Sequence, residues 1–368
     1  MITGNKGEWS EIYTFFKLLG DGGIYAADGN LNKIESRYYP LIEILRTENG
    51  QTPKRYINDT NQEKIKIIDA KTNECLVHLP IDNFIIQSKL LLEKIKSKKN
   101  KEKGAFSVID TENFMNKIYC KCLKAPAPDK SDITLVLHDT DTYANEQFGF
   151  SIKSKLGNPS TLVNPSGQTI FSYEVIGNLS PSDIEEINEI SSKSKIIDRI
   201  NMIFDKGCKF RFEETGKIFQ LNLEMVDVML PQIISFMLLH SYKRYNEKCI
   251  KDINKLIEIL DVENPCNFDM SKGHPFYSYK IKSFLVAYAL GMKANTVWNG
   301  EVEATGGYIV VKQDGDLACY HFYRKNEFSE YLLNNTRLET PNGRADFGKI
   351  YCKNGKNYIA LNLQVRFI

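Results

Sequence analysis

Residues Lys130 to Tyr173, KSDITLVLHDTDTYANEQFGFSIKSKLGNPSTLVNPSGQTIFSY, decide how the rest of the chain is read. Asp132 stands at the head of an apolar, β-rich run, Ile133 to Leu137. A polar turn region follows, Asp139 to Gln147, and a second short run, Phe148 to Ile152, ends on Lys153. The two runs read as neighbouring strands. An acid on one and a lysine at the end of the next can hold a divalent metal ion and a water side by side. That is the minimum equipment for hydrolysing a phosphodiester.

A nuclease of the PD-(D/E)xK kind needs two carboxylates around Mg²⁺, the backbone carbonyl of the residue between acid and lysine, and the lysine itself. Mg²⁺ suits such a site because it takes oxygen ligands and keeps several waters. Asp132 fits the first acid, preceded by Ser131 rather than Pro; the literal Pro128-Asp129 pair upstream ranks second. Lys153 fits the lysine and Ile152 the middle residue. Ser151 stands where the second acid belongs, and a serine hydroxyl is a weak metal ligand. Either a second carboxylate comes from elsewhere or the site is compromised; the sources are Glu11 or Glu8, one turn apart on a predicted first helix, and Glu174, with Glu11 preferred. On its own, an acid, a strand, a turn, a strand and a lysine describe many ordinary α/β proteins.

Beyond Lys153 the chain is dense in short polar side chains. Lys155, Asn158, Ser160, Thr161, Asn164, Ser166, Gln168 and Thr169 are of the types that donate to phosphates and base edges. The bland alternative is a plain turn-rich loop, punctuated by Gly157, Pro159, Pro165 and Gly167.

Composition fits a globular protein: 368 residues, 42% hydrophobic and 26% charged. With 48 basic and 46 acidic residues the net charge is +2, so charge gives no positive argument for nucleic acid; a basic cleft balanced by acidic flanks stays compatible. The start, MITGNKGEWSEIY, lacks the pattern of a signal peptide. The apolar run Val226 to Leu239 is too short for a membrane span and is broken by Asp227 and Pro231, so a buried helix is expected. Eight scattered cysteines form no CxxC pair, which argues against structural zinc and for a reduced, cytoplasmic protein.

Along the chain, Trp9, Ile12, Phe16 and Leu19 predict a first helix. Gly23-Ile24-Tyr25 spells half of a GIY-YIG nuclease signature, but three-letter matches arise by accident and no second half follows. Residues 38–80 read as strands of an accessory β region, and Asn83 to Ser97 as a helix running into the basic stretch Lys98 to Gly104, which is more simply a solvated helix end than a phosphate contact. FSVIDTENFMNKIYCKCL suggests a short helix and a strand, and Ala125 to Asp129 a stiff connector. Ser180-Pro181-Ser182-Asp183 looks like the cap of a helix reaching about Asp205. KFRFEETGKIFQLNLEM reads as a hairpin turning at Thr215-Gly216. One or two long helices over 224–261, another over Phe276 to Leu290, and hairpins at Asp314-Gly315 and Asn354-Gly355 complete the chain. The expected fold is therefore α/β (α+β), a mixed central sheet flanked by helices with β-rich N-terminal accessory and C-terminal regions. A catalytic core is expected over 1–223, and a recognition or dimerisation region over 224–368, where Lys280, Lys282 and Trp298 are candidate contacts.

GNKGEWSEIY at the start, the KSDI…FSIKSKLGNPSTLVN block, and FYSYKIKSFL, GMKANTVWNG, GGYIVVKQDGDLACYH and NLQVRF further on resemble type II restriction endonucleases of the HpaII-type family over nearly the whole chain. The resemblance implies Mg²⁺-dependent cleavage of both strands of double-stranded DNA at a short palindromic site, CCGG in the family's type member. It also implies a cognate DNA methyltransferase acting on the same site. Asp132 would be the metal ligand, Lys153 the catalytic lysine, and Ser151 a family-style substitution of the acid. A palindrome is most simply read by a two-fold homodimer. Two rivals use the same fold: a DNA-binding protein whose nuclease site is dead because of Ser151, and a repair or junction nuclease. A nucleotide- or sugar-processing enzyme has no support, since GxGxxG, GxxxxGK[ST] and GxSxG are all missing.

Overall fold

A computed structural model describes the chain except residues 49, 99–103, 125–130, 140–142 and 342–345. The Pro128-Asp129 pair, the connector that contains it and most of the basic stretch after Lys98 lie outside the described residues. Contacts divide the chain into two compact units, Met1–Ser160 with Val302–Tyr331, and Thr161–Glu301 with Leu332–Ile368.

The first unit opens with α1 (Lys6–Asp21), β1 (Gly23–Ala27), β2 (Lys33–Arg46), β3 (Lys54–Asp59), β4 (Lys64–Asp69) and β5 (Cys75–Pro80). α2 (Ile81–Ser97), α3 (Ile109–Lys117), β6 (Ile133–His138) and β7 (Asn145–Ser154) follow. The second unit takes β8 (Thr161–Val163), β9 (Ile170–Ile176), α4 (Pro181–Glu189), α5 (Lys195–Asp205), β10 (Lys209–Thr215), α6 (Lys217–Val226), α7 (Leu230–His240), β11 (Arg244–Tyr245), β12 (Lys248–Cys249), α8 (Ile253–Glu263) and α9 (Phe276–Leu290). β13 (Gly307–Val311) and β14 (Leu317–His321) return to the first unit, and α10 (Lys325–Asn334) spans the border. β15 (Thr336–Leu338), β16 (Tyr351–Lys353), β17 (Lys356–Asn362) and β18 (Val365–Phe367) close the second.

The first unit is built on one mixed sheet in the order β1-β14-β13-β7-β6-β2-β3-β4-β5. β7 lies parallel to β13 and antiparallel to β6, so the site-bearing strand is central. β2 is long enough to serve two neighbourhoods. Its first part pairs with β1, and Leu41 to Arg46 pair with β6 and β3. Residues 38–80, expected as an accessory region, are instead the continuation of the central sheet, because β2 hydrogen-bonds directly to β6. The pairing of β13 with β7 likewise brings residues from far down the chain into the core. The boundary expected at 223/224 falls inside α6, whereas the observed units exchange segments at 160/161, 301/302 and 331/332.

α1 forms because Asn5 and Glu8 close a reciprocal capping box, Asn5 Oδ1 accepting from the Glu8 N–H at 3.0 Å and Glu8 Oε2 from the Asn5 N–H at 2.8 Å. It ends where Gly22, at φ 72°, adopts the left-handed conformation that glycine takes without strain. Trp9, Ile12, Phe16 and Leu19 are buried as their spacing predicts, and so are Tyr13, Phe15 and Leu18. The helix is covered on more than one side, with Phe15 edge-on to Tyr56 of β3 at 4.8 Å and Phe16 edge-on to Phe84 of α2 at 6.3 Å. One polar link matters for function. Ser10 Oγ lies 2.8 Å from Ser154 Oγ, fixing α1 to the end of β7.

In the second unit, β9 is sandwiched between β10 and β17, and α7 is almost wholly buried. Among the described residues no single helix is long and apolar enough to cross a membrane. The helix expected from Ser180 to Asp205 starts as predicted, with a capping box at Ser180, but is broken into α4 and α5. The hairpin expected at Thr215-Gly216 is a strand followed by a helix. Gly216 lies against Gln168 so closely that a Cβ would meet its backbone at 2.4 Å, and Gln168 Oε1 accepts the Ile218 N–H at 3.1 Å at the start of α6. Phe219 and Leu223 then turn inward one helical turn apart.

Candidate active site

β6 and β7 pair from Ile133 opposite Phe150 to His138 opposite Asn145. Asp132 precedes the ladder; its N–H donates to the Phe150 carbonyl at 2.8 Å, which aims its side chain along β7. Ile152 lies beyond the ladder, and its N–H is taken instead by Asp132 Oδ2 at 2.7 Å. The same oxygen accepts from Ser151 Oγ at 3.0 Å. Ser151 Oγ in turn accepts from Lys153 Nζ at 2.9 Å, since residues two apart on a strand share a face. Asp132, Ser151 and Lys153 thus form one continuous chain of hydrogen bonds. Tyr308 of β13 lies beneath, its ring centre 4.9 Å from Lys153 Nζ. Burial lowers the Lys153 pKa, while Asp132 and Glu11 act to keep the ammonium charged.

Of the three acids open to the second role, each has a different surrounding. Glu8 gives an oxygen to the capping box of α1. Glu174, on β9, is ion-paired with Arg211 and lies 3.3 Å from Lys356. Glu11 faces the Asp132–Lys153 cluster from the adjacent helix: burial raises its pKa to about 8, the Asp132 charge adds to the rise, and Lys124 and Arg46 oppose it. Its side chain is 13% exposed, and Lys124 Nζ stands 3.8 Å from Oε1. The Ser10–Ser154 bond one residue away sets this approach.

A cleft of about 380 Å³ opens here, lined by Glu8, Glu11, Ile152, Lys153 and Ser154, by Lys6, Lys98 and Lys124, and by Asn158 and Ser160. Asn158 is exposed and Ser160 half-buried; Lys155, beside them, is half-buried and its N–H donates to the Val311 carbonyl at 2.9 Å. The other polar residues singled out from sequence belong to the second unit. Thr161 begins β8 and Asn164 is exposed. Thr169 is fully buried, its Oγ1 2.8 Å from both Asn362 Oδ1 and the Ser166 N–H, while Gln168 caps α6. Their hydrogen bonds run inward. Lys280 is ion-paired with Asp227, and Trp298 Nε1 donates to the Glu301 carbonyl at 3.0 Å.

The donor set can be weighed against a metal. Among the described residues no three His, Cys, Asp or Glu side chains gather into a metal cluster. A buried carboxyl whose proton affinity is raised by burial and by the neighbouring Asp132 charge fits Mg²⁺, which binds through one or two carboxylates and retains water. Asp132 and Glu11 are two carboxylates whose charges act on Lys153. Lys124, Tyr308, Ser10 and Ser154 were not legible as site residues; only pairing of distant segments brings them there.

A central strand carrying an acid-proximal lysine, with a helix supplying a further carboxylate, defines a candidate site for metal-assisted phosphodiester hydrolysis. The chain matches the HpaII restriction endonuclease family over residues 5–367 and belongs to it. It is similar to the type II restriction enzyme HpaII of Haemophilus parainfluenzae, 41% identical over 369 aligned positions that cover 100% of this chain and 99% of that protein. No solved structure matches it significantly. Its enzyme class is that of the type II site-specific deoxyribonucleases.

Proposed function

We propose that this chain is a Mg²⁺-dependent endonuclease that cuts both strands of duplex DNA at a short palindrome, with CCGG as the site its family resemblance suggests. In this reading it acts as a cytoplasmic homodimer, and a cognate methyltransferase protects the host DNA. The observation that carries the chemistry is the convergence of Asp132, Glu11 and Lys153 at the end of β7.

Asp132 and Glu11 would hold Mg²⁺, with the Ile152 carbonyl as a third oxygen; when bound, the cation supplies Lewis-acid polarisation and a more acidic water. Lys153 orients the attacking water through its ammonium and opposes the negative charge that grows on the phosphate. Ser151 fixes the ammonium, and the Tyr308 ring limits water on its other side. Lys155, Asn158 and Ser160, on the loop after β7, would contact the flanking backbone, and Thr161 and Asn164 are further candidate contacts. Glu11 favours this reading over a dead scaffold, because it offers the carboxylate that Ser151 lacks. A repair or junction nuclease would use the same centre and differ in substrate.

The test is incubation of the purified protein with unmethylated plasmid or phage DNA, with Mg²⁺ or EDTA, beside Lys153→Ala. Discrete Mg²⁺-dependent fragments that the variant fails to make are expected, and sequencing their ends gives the site. Binding without cutting would replace the proposal with the dead-scaffold reading. A preference for branched over linear DNA would replace it with the junction nuclease.

A further inference from the structure

We propose that Lys124 is a second cation of the cleavage site, a phosphate-binding residue held in position by the buried Arg46–Glu48 ion pair. The proposal rests on the nuclease reading above. Arg46 ends β2, and with Glu48 it forms a 2.8 Å ion pair whose side chains are only 8% and 6% exposed. The pair grips the segment before Lys124. Arg46 donates to the carbonyls of Cys122 and Leu123, the latter at 3.3 Å, while Glu48 accepts from the N–H groups of Lys121 at 2.8 Å and Cys122 at 3.4 Å. Three consecutive residues without regular secondary structure are therefore pinned through their backbone. Lys124 comes next, with its ammonium in the cleft 3.8 Å from Glu11 and 4.0 Å from Glu8.

A structural explanation accounts poorly for this arrangement. Lys124 is 60% exposed, and ion pairs at that exposure contribute little to stability. A buried ion pair, by contrast, is costly to desolvate, so using one to fix a loop calls for another reason. Among the described residues that line the cleft, the ammonium is joined by Lys6, Lys98 and Lys153 against Glu8 and Glu11, with Asp132 next to Lys153 through Ser151. Such a concentration of cations in a concave site favours an anionic ligand, and the phosphates of duplex DNA are that ligand. Were a metal ion to take over Glu11, the Lys124 ammonium would lose that partner and be left to bind a phosphate.

The experiment uses the full-length protein and the duplex identified by end-sequencing. Binding is measured in Ca²⁺ over a salt series, and single-turnover cleavage in Mg²⁺. Lys124→Ala, which leaves the clamp intact, is expected to weaken binding roughly 10-fold and to lower the slope of log K against log salt by about one, with slower cleavage. Lys124→Arg should restore the slope. Glu48→Gln should move binding in the same direction, and adding it to Lys124→Ala should cost nothing further. An unchanged salt slope and cleavage rate in Lys124→Ala overturns the proposal and leaves Lys124 a surface partner of Glu8 and Glu11. Additive losses in the double variant overturn the clamp. A wild-type protein that neither binds nor cuts the DNA sinks the nuclease reading itself, a result distinct from both.

Discussion

The hydroxyl of Ser151 donates to Asp132 Oδ2 at 3.0 Å while accepting from Lys153 Nζ at 2.9 Å. In an acid-x-lysine triplet this position would carry a negative charge. Here a neutral bridge transmits the orientation of the acid to the lysine without adding a third carboxylate to Asp132 and Glu11. Ser151→Ala removes both bonds and leaves the fold's packing nearly intact. Hydrogen bonds to charged groups contribute about 1.5–3 kcal/mol, so single-turnover cleavage should fall roughly 10- to 100-fold with DNA binding retained. An unchanged rate would reduce Ser151 to a spacer.

Lys153→Met keeps the length and apolar stem of a half-buried side chain whose ammonium rests over Tyr308. Only the charge and its donors are lost. Loss of one preorganised donor at a developing oxyanion typically costs about 10²- to 10³-fold in rate. The expected outcome is that drop in the cleavage rate with an unchanged melting temperature. A variant that cuts at the wild-type rate would place the catalytic cation elsewhere.

The sequence was legible where local pattern and tertiary role agree. Asp132 and Lys153 bracket two short strands, and the structure pairs those strands with the two side chains on opposite sides of one serine. The spacing of Trp9, Ile12, Phe16 and Leu19 predicts α1, and its capping box is written in Asn5 and Glu8. What stayed hidden depends on contacts far apart in sequence. Nothing local says that Tyr308 lies under Lys153 or that Lys124 reaches Glu11, because both depend on pairings across more than a hundred residues. The alternation in KFRFEETGKIFQLNLEM fits a strand on both sides of Gly216, and the helical second half goes with the distant Gln168 at its start and the buried Phe219 and Leu223. The hydroxyls and amides after Lys153 read as a contact surface, yet Thr169 and Gln168 bond to their own fold. Polar type alone does not tell which way a side chain faces.

His321 supplies a test of the core. It is 4% exposed, packed edge-on to Phe148 at 4.6 Å, and its Nδ1 accepts from the Tyr323 N–H at 3.2 Å. Burial lowers its pKa to about 4, with Arg324 acting the same way and Asp139 and Glu146 against it. The unfolded chain binds a proton at about 6.5, which the folded state refuses until about 4. Stability therefore holds above pH 6.5 and falls as pH drops toward 4, by at most about 1.4 kcal/mol per pH unit for this one group. His321→Phe should flatten the acid limb of a melting-temperature profile relative to wild type, whatever its absolute stability. Parallel acid limbs would mean that His321 protonates freely in the native protein.

Glu11 gives the opposite sign and bears on the proposed Mg²⁺ site. Burial, aided by Asp132, raises its pKa to about 8, so in the metal-free protein below that pH a proton occupies the position where a cation would bind. Binding Mg²⁺ must expel it, since a carboxylate ligates only when ionised. Apparent Mg²⁺ affinity should rise with pH and level off above about 8, with proton release seen by calorimetry in buffers of different ionisation enthalpy. Glu11→Gln should weaken Mg²⁺ binding, abolish the pH dependence and stop cleavage. Placing an acid at the strand position, as Ser151→Asp in the Glu11→Gln background, returns the second carboxylate from β7 and should restore measurable Mg²⁺-dependent cutting. Affinity that stays constant through pH 8, together with cleavage by Glu11→Gln, would remove Glu11 from the metal site and return that role to an acid still unassigned.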